Sequence, residues 1–431
     1  MEISLELLIW VVLIAMLFIG APIYLSLGVA SAAVLYFSDI PLAIVVVDFL
    51  KVSDMFPLLA VVGFVFAGAL MDQGGMAGQI VEVASVFMGR IRGGLGIVTI
   101  LGCMFFASMI GSGPGTVAAM GSIMIPAMVK RGYSPEYAAG VSATGGTLGI
   151  LIPPSNPMIV YGVVANVSVS ALFMAGFVPG FIVGGCLMLT AYLHARRLGF
   201  TAAMGNDSGD SLPRMLRRNF FALMAPFVIL GGIYAGICTP VEASAIAIAY
   251  SMFVGVVINR KLAWDGIWRA VKMTNITTGT VVIIISVSTV FGRFLTLYQV
   301  PQGLSALILS ITDTPYIVLF FICMLLFFLG MFMETLSTIV ILAPVFLPVI
   351  LKLGIDPVFF GVIWVMTNEV ALLSPPLGVN LFIARNMTGI SLERVIKGTL
   401  PYMFVLMGII LLIMAFPPVI TFLPKLVGMY K

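Results

Sequence analysis

Charge is the scarcest property of this chain. Asp, Glu, Lys and Arg make up 9% of its 431 residues, against about 25% in a soluble domain. With 61% hydrophobic residues beside so few charges, a soluble globular fold is excluded and a polytopic membrane protein is expected. Histidine occurs once, at His194, which argues against a His-based metal site or a Ser-His-Asp triad. Cys103, Cys186, Cys238 and Cys323 stand singly in apolar runs, with no CxxC spacing. They read as small hydrophobes rather than redox or metal ligands. Short segments of alternating hydrophobicity are missing, which excludes a membrane β-barrel and leaves an all-α fold. No basic residue precedes the apolar stretch 7–37, so it reads as two spans split by Gly20 and Pro22, not as a cleaved signal peptide. The net charge of +4 names no partner. Membrane lipid is expected around the chain, and nucleic acid is not.

What is present is a doubled interruption. Gly149-Ile-Leu-Ile-Pro153-Pro154-Ser155-Asn156-Pro157 and Ala371-Leu-Leu-Ser374-Pro375-Pro376-Leu-Gly378-Val379 each separate two apolar runs too short to cross a bilayer alone. Adjacent prolines remove backbone donors and clash with the preceding turn. Two broken helices are therefore expected, at 136–151 with 155–166 and at 357–373 with 376–388. Two further apolar stretches are interrupted midway, 94–129 at Gly111-Ser112-Gly113-Pro114-Gly115 and 315–351 at Glu334-Thr335. Each reads as a re-entrant helical hairpin.

These features order the chain. Residues 1–93 form scaffold and interfacial helices, and 94–193 the first hairpin and broken helix. Residues 194–218 are a polar linker, and 219–314 repeat the scaffold, with an interfacial piece at 260–272 before a separate span at 274–298. Residues 315–398 carry the second hairpin and broken helix, and 399–431 a last span at 400–422. Trp264 and Trp268 mark the interface. Glu242 caps a helix start, and Arg293 snorkels from its span.

The halves match at an offset of 222 residues. Pro126, Pro135, Pro153, Pro154 and Pro179 fall on Pro348, Pro357, Pro375, Pro376 and Pro401. Seven prolines lie between 111 and 180 and the chain has 24 in all, so chance predicts about 0.4 matches, where five occur. Charge indicates that the repeat is inverted. The first hairpin is flanked by Arg90, Arg92, Lys130 and Arg131, the second by Asp313, Lys352 and Asp356. Since Lys and Arg concentrate in cytoplasmic loops, the first hairpin enters from inside and the second from outside. That threading leaves both termini outside, with 16 Lys and Arg inside and five outside.

Paired broken helices point to a transporter's binding site. Hydroxyls and freed carbonyls suit Na⁺ or another hard cation. Half-helix N-termini attract an anion. The candidate cation ligands are Ser108, Ser112, Gly113, Thr144, Gly149, Glu334, Thr335, Thr367 and Asn368. The candidate substrate contacts are Gly115, Thr116, Pro154, Ser155, Asn156, Ser337, Pro376, Gly378 and Asn380. Glu334 and Glu369 stand out because an intramembrane carboxylate is functional by default. An intramembrane enzyme is the rival from another class, with these two acids as its only pair. A channel is disfavoured by the inverted hairpins.

Gly149-x3-Pro153-Pro154-Ser155 with Tyr161-Gly162 resembles the large membrane subunit of tripartite ATP-independent periplasmic (TRAP) transporters. So do Gly330-x3-Glu334 leading to Pro344 and Pro348, and Asn368-Glu369-x5-Pro375-Pro376-x-Gly378-x-Asn380-Leu381-Phe382. The resemblance runs over nearly the whole chain. It implies an elevator-type architecture, similar to that of dicarboxylate/sodium transporters, in a bacterial inner membrane. It further implies uptake of a small organic anion, a carboxylate or sulfonate, coupled to Na⁺ at two or more sites, with H⁺ as the other candidate ion. The implied partners are a periplasmic substrate-binding protein and a small four-helix membrane subunit on a separate chain. The rival within transport is a stand-alone carboxylate symporter. One departure is Glu334, where the family more often has Asp at this tip.

Overall fold

A computed structural model describes residues 5–38, 40–88, 91, 93–200, 212–312, 314–375 and 378–428. Among the described residues every regular element is a helix. The chain opens with α1 (Leu5–Phe18), α2 (Ile23–Tyr36) and the short α3 (Leu42–Lys51). α4 (Leu58–Gln73) and α5 (Met76–Met88) follow, with a bend of 68° between them.

The first hairpin is α6 (Gly94–Ile110) and α7 (Gly113–Lys130), turning at Gly111, whose φ is +68°. The first broken helix is α8 (Pro135–Leu151) and α9 (Asn156–Ala165), with a cis bond between Pro153 and Pro154. The end of α10 (Val169–Arg197) and all of α11 (Leu212–Arg218) fall within the expected linker 194–218, of which 201–211 lie outside the described residues. α12 (Phe220–Tyr234) leads to α13 (Pro240–Met252), which continues as π-helix over Phe253–Ile258. Glu242 caps α13 as expected, in a reciprocal box with Thr239.

The second half departs from expectation once. Positions 260–298 are not an interfacial piece and a span but one helix, α14 (Trp264–Leu297), 34 residues long. No proline or glycine stands at 272–274, so nothing stops the helix there. Trp264 and Trp268 remain exposed at its start. α15 (Val300–Ile311) precedes the second hairpin, α16 (Pro315–Gly330) and α17 (Thr335–Lys352). The second broken helix is α18 (Pro357–Ala371) and α19 (Val379–Thr388). The last span is displaced: α20 (Leu392–Ala415) starts before position 400 and ends at Phe416-Pro417, after which α21 (Pro418–Leu426) is separate.

Among the described residues, six helical stretches are long and apolar enough to cross a membrane, or seven if the bent pair counts as one. They are not equally placed. The central window of Pro135–Ala165 is 83% buried in the protein, that of Pro240–Ile258 only 33%. The first broken helix therefore lies at the centre, while α13 shows most of its surface outward. Burial this deep needs small residues. A Cβ on Gly140 of α8 would sit 2.3 Å from the Gly398 carbonyl oxygen of α20, closer than any side chain allows. Tyr161 of α9 donates to the Pro357 carbonyl at 2.8 Å, joining one broken helix to the start of the other.

Candidate functional site

The two hairpin tips and the two breaks meet at one cavity of about 330 Å³. The first tip supplies Gly111 through Pro114, the second Glu334, Thr335 and Leu336. Ile150, Asn156 and Pro157 come from one break, Leu372 and Val379 from the other. α14 forms the remaining wall with Thr277 and Val281. Five pairs of these residues are related by the 222-residue offset: Ser112 with Glu334, Gly113 with Thr335, Pro114 with Leu336, Ile150 with Leu372, and Pro157 with Val379. The repeat read from the prolines is also a repeat of the cavity wall.

Four helices begin here. Gly113, Asn156, Thr335 and Val379 are the first residues of α7, α9, α17 and α19, and all four line the cavity. A helix start carries unpaired N–H groups and about half a positive charge. The halves treat these starts differently. Ser112 accepts from the Gly115 N–H and Ser155 from the Met158 N–H, each at 3.3 Å. At the caps of α17 and α19 stand Glu334 and Gly378, and neither makes a side-chain cap bond.

Each tip is seated on its own break. Asn156 N–H donates to the Gly111 carbonyl at 3.2 Å. A Cβ on Gly149 would fall 2.4 Å from the Ser112 carbonyl oxygen, so only glycine permits the contact. In the second half a Cβ on Gly330 would fall 2.5 Å from Asn368 Oδ1. There the Thr338 hydroxyl accepts from Asn368 Nδ2 at 3.0 Å and from Trp364 Nε1 at 3.3 Å. It donates to the Thr335 carbonyl at 2.8 Å.

Oxygen acceptors dominate the breaks. Asn156 Oδ1, Asn368 Oδ1, Glu369 Oε1 and Asn380 Oδ1 are buried and have no hydrogen-bond partner among the described residues. A buried polar atom left unpaired costs about 1–3 kcal/mol, so a donor or cation is needed there. Ser108, Thr144 and Thr367 donate their hydrogens to the carbonyls of Phe105, Gly140 and Ile363. Their oxygen lone pairs remain as acceptors. A set made only of hard oxygens fits Na⁺ in kind.

Of the residues expected at the site, Ser112, Gly113, Asn156, Glu334 and Thr335 line the cavity. Gly149, Thr116 and Asn368 stand directly behind the tips, and Thr116 donates to the Ser112 carbonyl at 2.8 Å. Pro154 backs Gly111, where a Cβ would meet the Pro154 carbonyl oxygen at 2.5 Å. Ser155 caps α9, Gly115 lies in the first turn of α7, and Ser337 is buried in α17. Gly378 opens α19 with φ +40°, and Asn380 Nδ2 reaches across to the Ala143 carbonyl of α8 at 3.2 Å. Pro376 lies outside the described residues. Thr277 and Val281 were not anticipated. The cluster Thr274, Thr277, Thr278 and Thr280 inside an apolar run was the available signal.

Arg293 corrects another expectation. It has an acidic partner that the reading as a snorkelling side chain did not include. Its Nη2 donates to Asp48 Oδ1 at 2.7 Å and its Nε to the other carboxylate oxygen, joining α14 to α3.

Residues 10–419 match the family model described as the tripartite ATP-independent periplasmic transporter, DctM component. The isethionate TRAP transporter permease protein DctMQ of Oleidesulfovibrio alaskensis is 38% identical over 94% of this chain. The chain spans 64% of that relative's length. The C4-dicarboxylate TRAP transporter large permease protein of Pseudomonas aeruginosa is 37% identical, covering 94% of this chain and 95% of that one. The sialic acid TRAP transporter large permease protein of Vibrio cholerae is 34% identical, covering 96% and 97%. These relatives are named as transporter permeases, not enzymes. The solved YdaH transporter of Alcanivorax borkumensis shares the fold, with a TM-score of 0.63 at 16% identity, covering 86% of this chain and 87% of that one. The chain belongs to the tripartite ATP-independent periplasmic transporter family, as a DctM component.

Proposed function

We propose that this chain carries a small organic anion, a carboxylate or sulfonate, inward across a bacterial inner membrane, driven by Na⁺. The observation that carries the reading is the meeting of four helix starts at one cavity. Their partial positive charges sum on one small volume, which favours an anion once Na⁺ balances the Glu334 carboxylate on the same wall. The uncapped starts of α17 and α19 leave their N–H groups for the anion's oxygens. Na⁺ is assigned to Glu334 and to the breaks, where the oxygens of Asn156, Asn368, Glu369 and Asn380 lack partners among the described residues. Cations there would hold the tips onto the breaks and so complete the anion site. Ion and anion would then each strengthen the other's binding.

Residues 94–193 and 315–398 are proposed to move as a unit against the remaining helices, with both termini outside. The relatives are named for isethionate, C4-dicarboxylates and sialic acid, and a substrate of this range is proposed here. A periplasmic binding protein would deliver the cargo, and a small four-helix membrane subunit would brace the static helices. The test is uptake into proteoliposomes holding the chain and its small subunit, with each binding protein encoded nearby and its ligand. Uptake that needs an inward Na⁺ gradient supports the reading. Uptake unchanged when K⁺ replaces Na⁺ would remove Na⁺ coupling, and uptake without any binding protein would favour a stand-alone symporter.

A further inference from the structure

A second cavity, of about 440 Å³, lies between α3 and the helices that wall the first. α9, α14 and α17 line both. On α14, Val281 faces the tip cavity and Ile285 the second one, and on α17 Leu336 and Val340 do the same. Four residues are about one helical turn, so the two cavities follow one another along the same seam.

The second cavity has a charged wall of unusual make-up. Asp48 lies deepest, its side chain 3% exposed, while those of Arg293 and Lys51 are 37% and 58% exposed. Arg293 grips both oxygens of Asp48, and Lys51 Nζ stands 3.6 Å from Oδ1. Two cations share one carboxylate, so the wall keeps a net positive charge. The Asp48 pair engages the Nε and Nη2 of Arg293, and a guanidinium has a further Nη1 edge for another oxyanion. In the same wall the Ser288 hydroxyl, 2% exposed, has no hydrogen-bond partner among the described residues.

We infer that this cavity is a waiting site for the small organic anion on its way to the tips. Arg293 and Lys51 hold its acidic group against the Ser288 hydroxyl. Asp48 is the internal anion that neutralises Arg293 between cargoes and competes the cargo off. The identity of the cargo rests on the transport reading; the site itself rests on these side chains. It predicts opposite effects from the two halves of the ion pair. Asp48→Asn removes the competitor and tightens the anion, whereas Arg293→Gln loosens it. A clamp that only joins α3 to α14 would make both substitutions alike, and the reversed pair Asp48→Arg with Arg293→Asp would repair it.

The test uses the full chain with its four cysteines replaced by Ala and Thr289→Cys placed in the cavity wall. Its rate of reaction with a sulfonate-bearing thiosulfonate is measured with and without millimolar isethionate, succinate or N-acetylneuraminate. At least one of these anions should slow labelling. Asp48→Asn should lower the protecting concentration and Arg293→Gln raise it, each by about tenfold, the scale of one charge-assisted contact. Lys51→Gln, at an exposed side chain, should also raise it, which keeps the test open if Asp48→Asn does not fold. Protection by none of the three overturns the proposal. So does an equal loss in Asp48→Asn and Arg293→Gln that the reversed pair restores. Labelling needs no gradient: protection without uptake would count against the transport reading alone, and uptake without protection against the waiting site alone.

Discussion

Ser112 and Glu334 are the same position in the two halves of this protein, and they do different jobs. Each stands at the N-cap of its hairpin's second arm, and each lines the cavity. Ser112 turns its oxygen back to the Gly115 N–H and closes its own helix start. Glu334 makes no such bond and is exposed to the cavity. The repeat built two like helix starts; the side chain caps one of them and leaves the other uncapped.

From that difference the two substitutions are expected to diverge. Ser112→Ala removes a cap and lowers stability by about 1 kcal/mol, with Na⁺ dependence kept. Glu334→Gln keeps the shape and removes a carboxylate that contacts with charge make worth about 1.5–3 kcal/mol. The Na⁺ concentration for half-maximal uptake should rise about tenfold or more. Na⁺ titration of proteoliposome uptake reads both, and an unchanged curve for Glu334→Gln removes this carboxylate from coupling.

Seating of the tips depends on two glycines. Gly149→Ala places a methyl 2.4 Å from the Ser112 carbonyl oxygen, and Gly330→Ala one 2.5 Å from Asn368 Oδ1. Overpacking of this kind costs about 1–3 kcal/mol, enough to lift a tip from its break. Both variants should lose most uptake while retaining normal helix content by circular dichroism. Gly185→Ala, whose methyl would meet no described atom of another element within 4 Å, is the control and should transport normally.

The first hairpin and the breaks were legible because proline and glycine act locally, on the residues beside them, and the second hairpin because Glu334-Thr335 interrupts an apolar run. Pro153-Pro154 and Gly111 end helices whatever packs around them. The continuity of α14 was not legible, since Trp264, Trp268 and Lys272 read as an interface while nothing near 273 says whether the helix stops. Thr277 was missed for a related reason: a threonine in a long apolar helix usually bonds to its own backbone, as Thr274 does at 2.8 Å. The Asp48–Arg293 pair joins residues 245 positions apart, and no local pattern carries such a distance. Arg293 near a span's end therefore looked like a snorkelling side chain.

That pair gives the protein an acid-sensitive element. The Arg293 guanidinium hydrogen-bonded to Asp48 holds its carboxyl below the ordinary carboxylate range, against the opposing effect of burial. A lowered folded value means the contribution is fully present above the unfolded value and is lost as pH falls through the folded one. The difference in thermal midpoint between wild type and Asp48→Asn should be constant from about pH 5 to 8 and should shrink below about pH 4. A difference that grows on acidification would mean that Asp48 is not held ionised by Arg293.

Thr277 separates the two ligands of the cavity. It is exposed on α14, a helix that carries neither a tip nor a break, and it lines the cavity from there. A hydroxyl there can meet the anion but belongs to neither tip. Thr277→Val keeps the shape and removes the hydrogen bond, worth about 0.5–1.5 kcal/mol if neutral and up to about 3 kcal/mol with a charged partner. The KM for the organic anion should therefore rise, by up to about a hundredfold, while the Na⁺ dependence measured at saturating anion stays as in wild type. Glu334→Gln should show the reverse pattern. If Thr277→Val instead shifts the Na⁺ curve and spares the KM, the ion and not the anion sits against α14, and the two assignments must be exchanged.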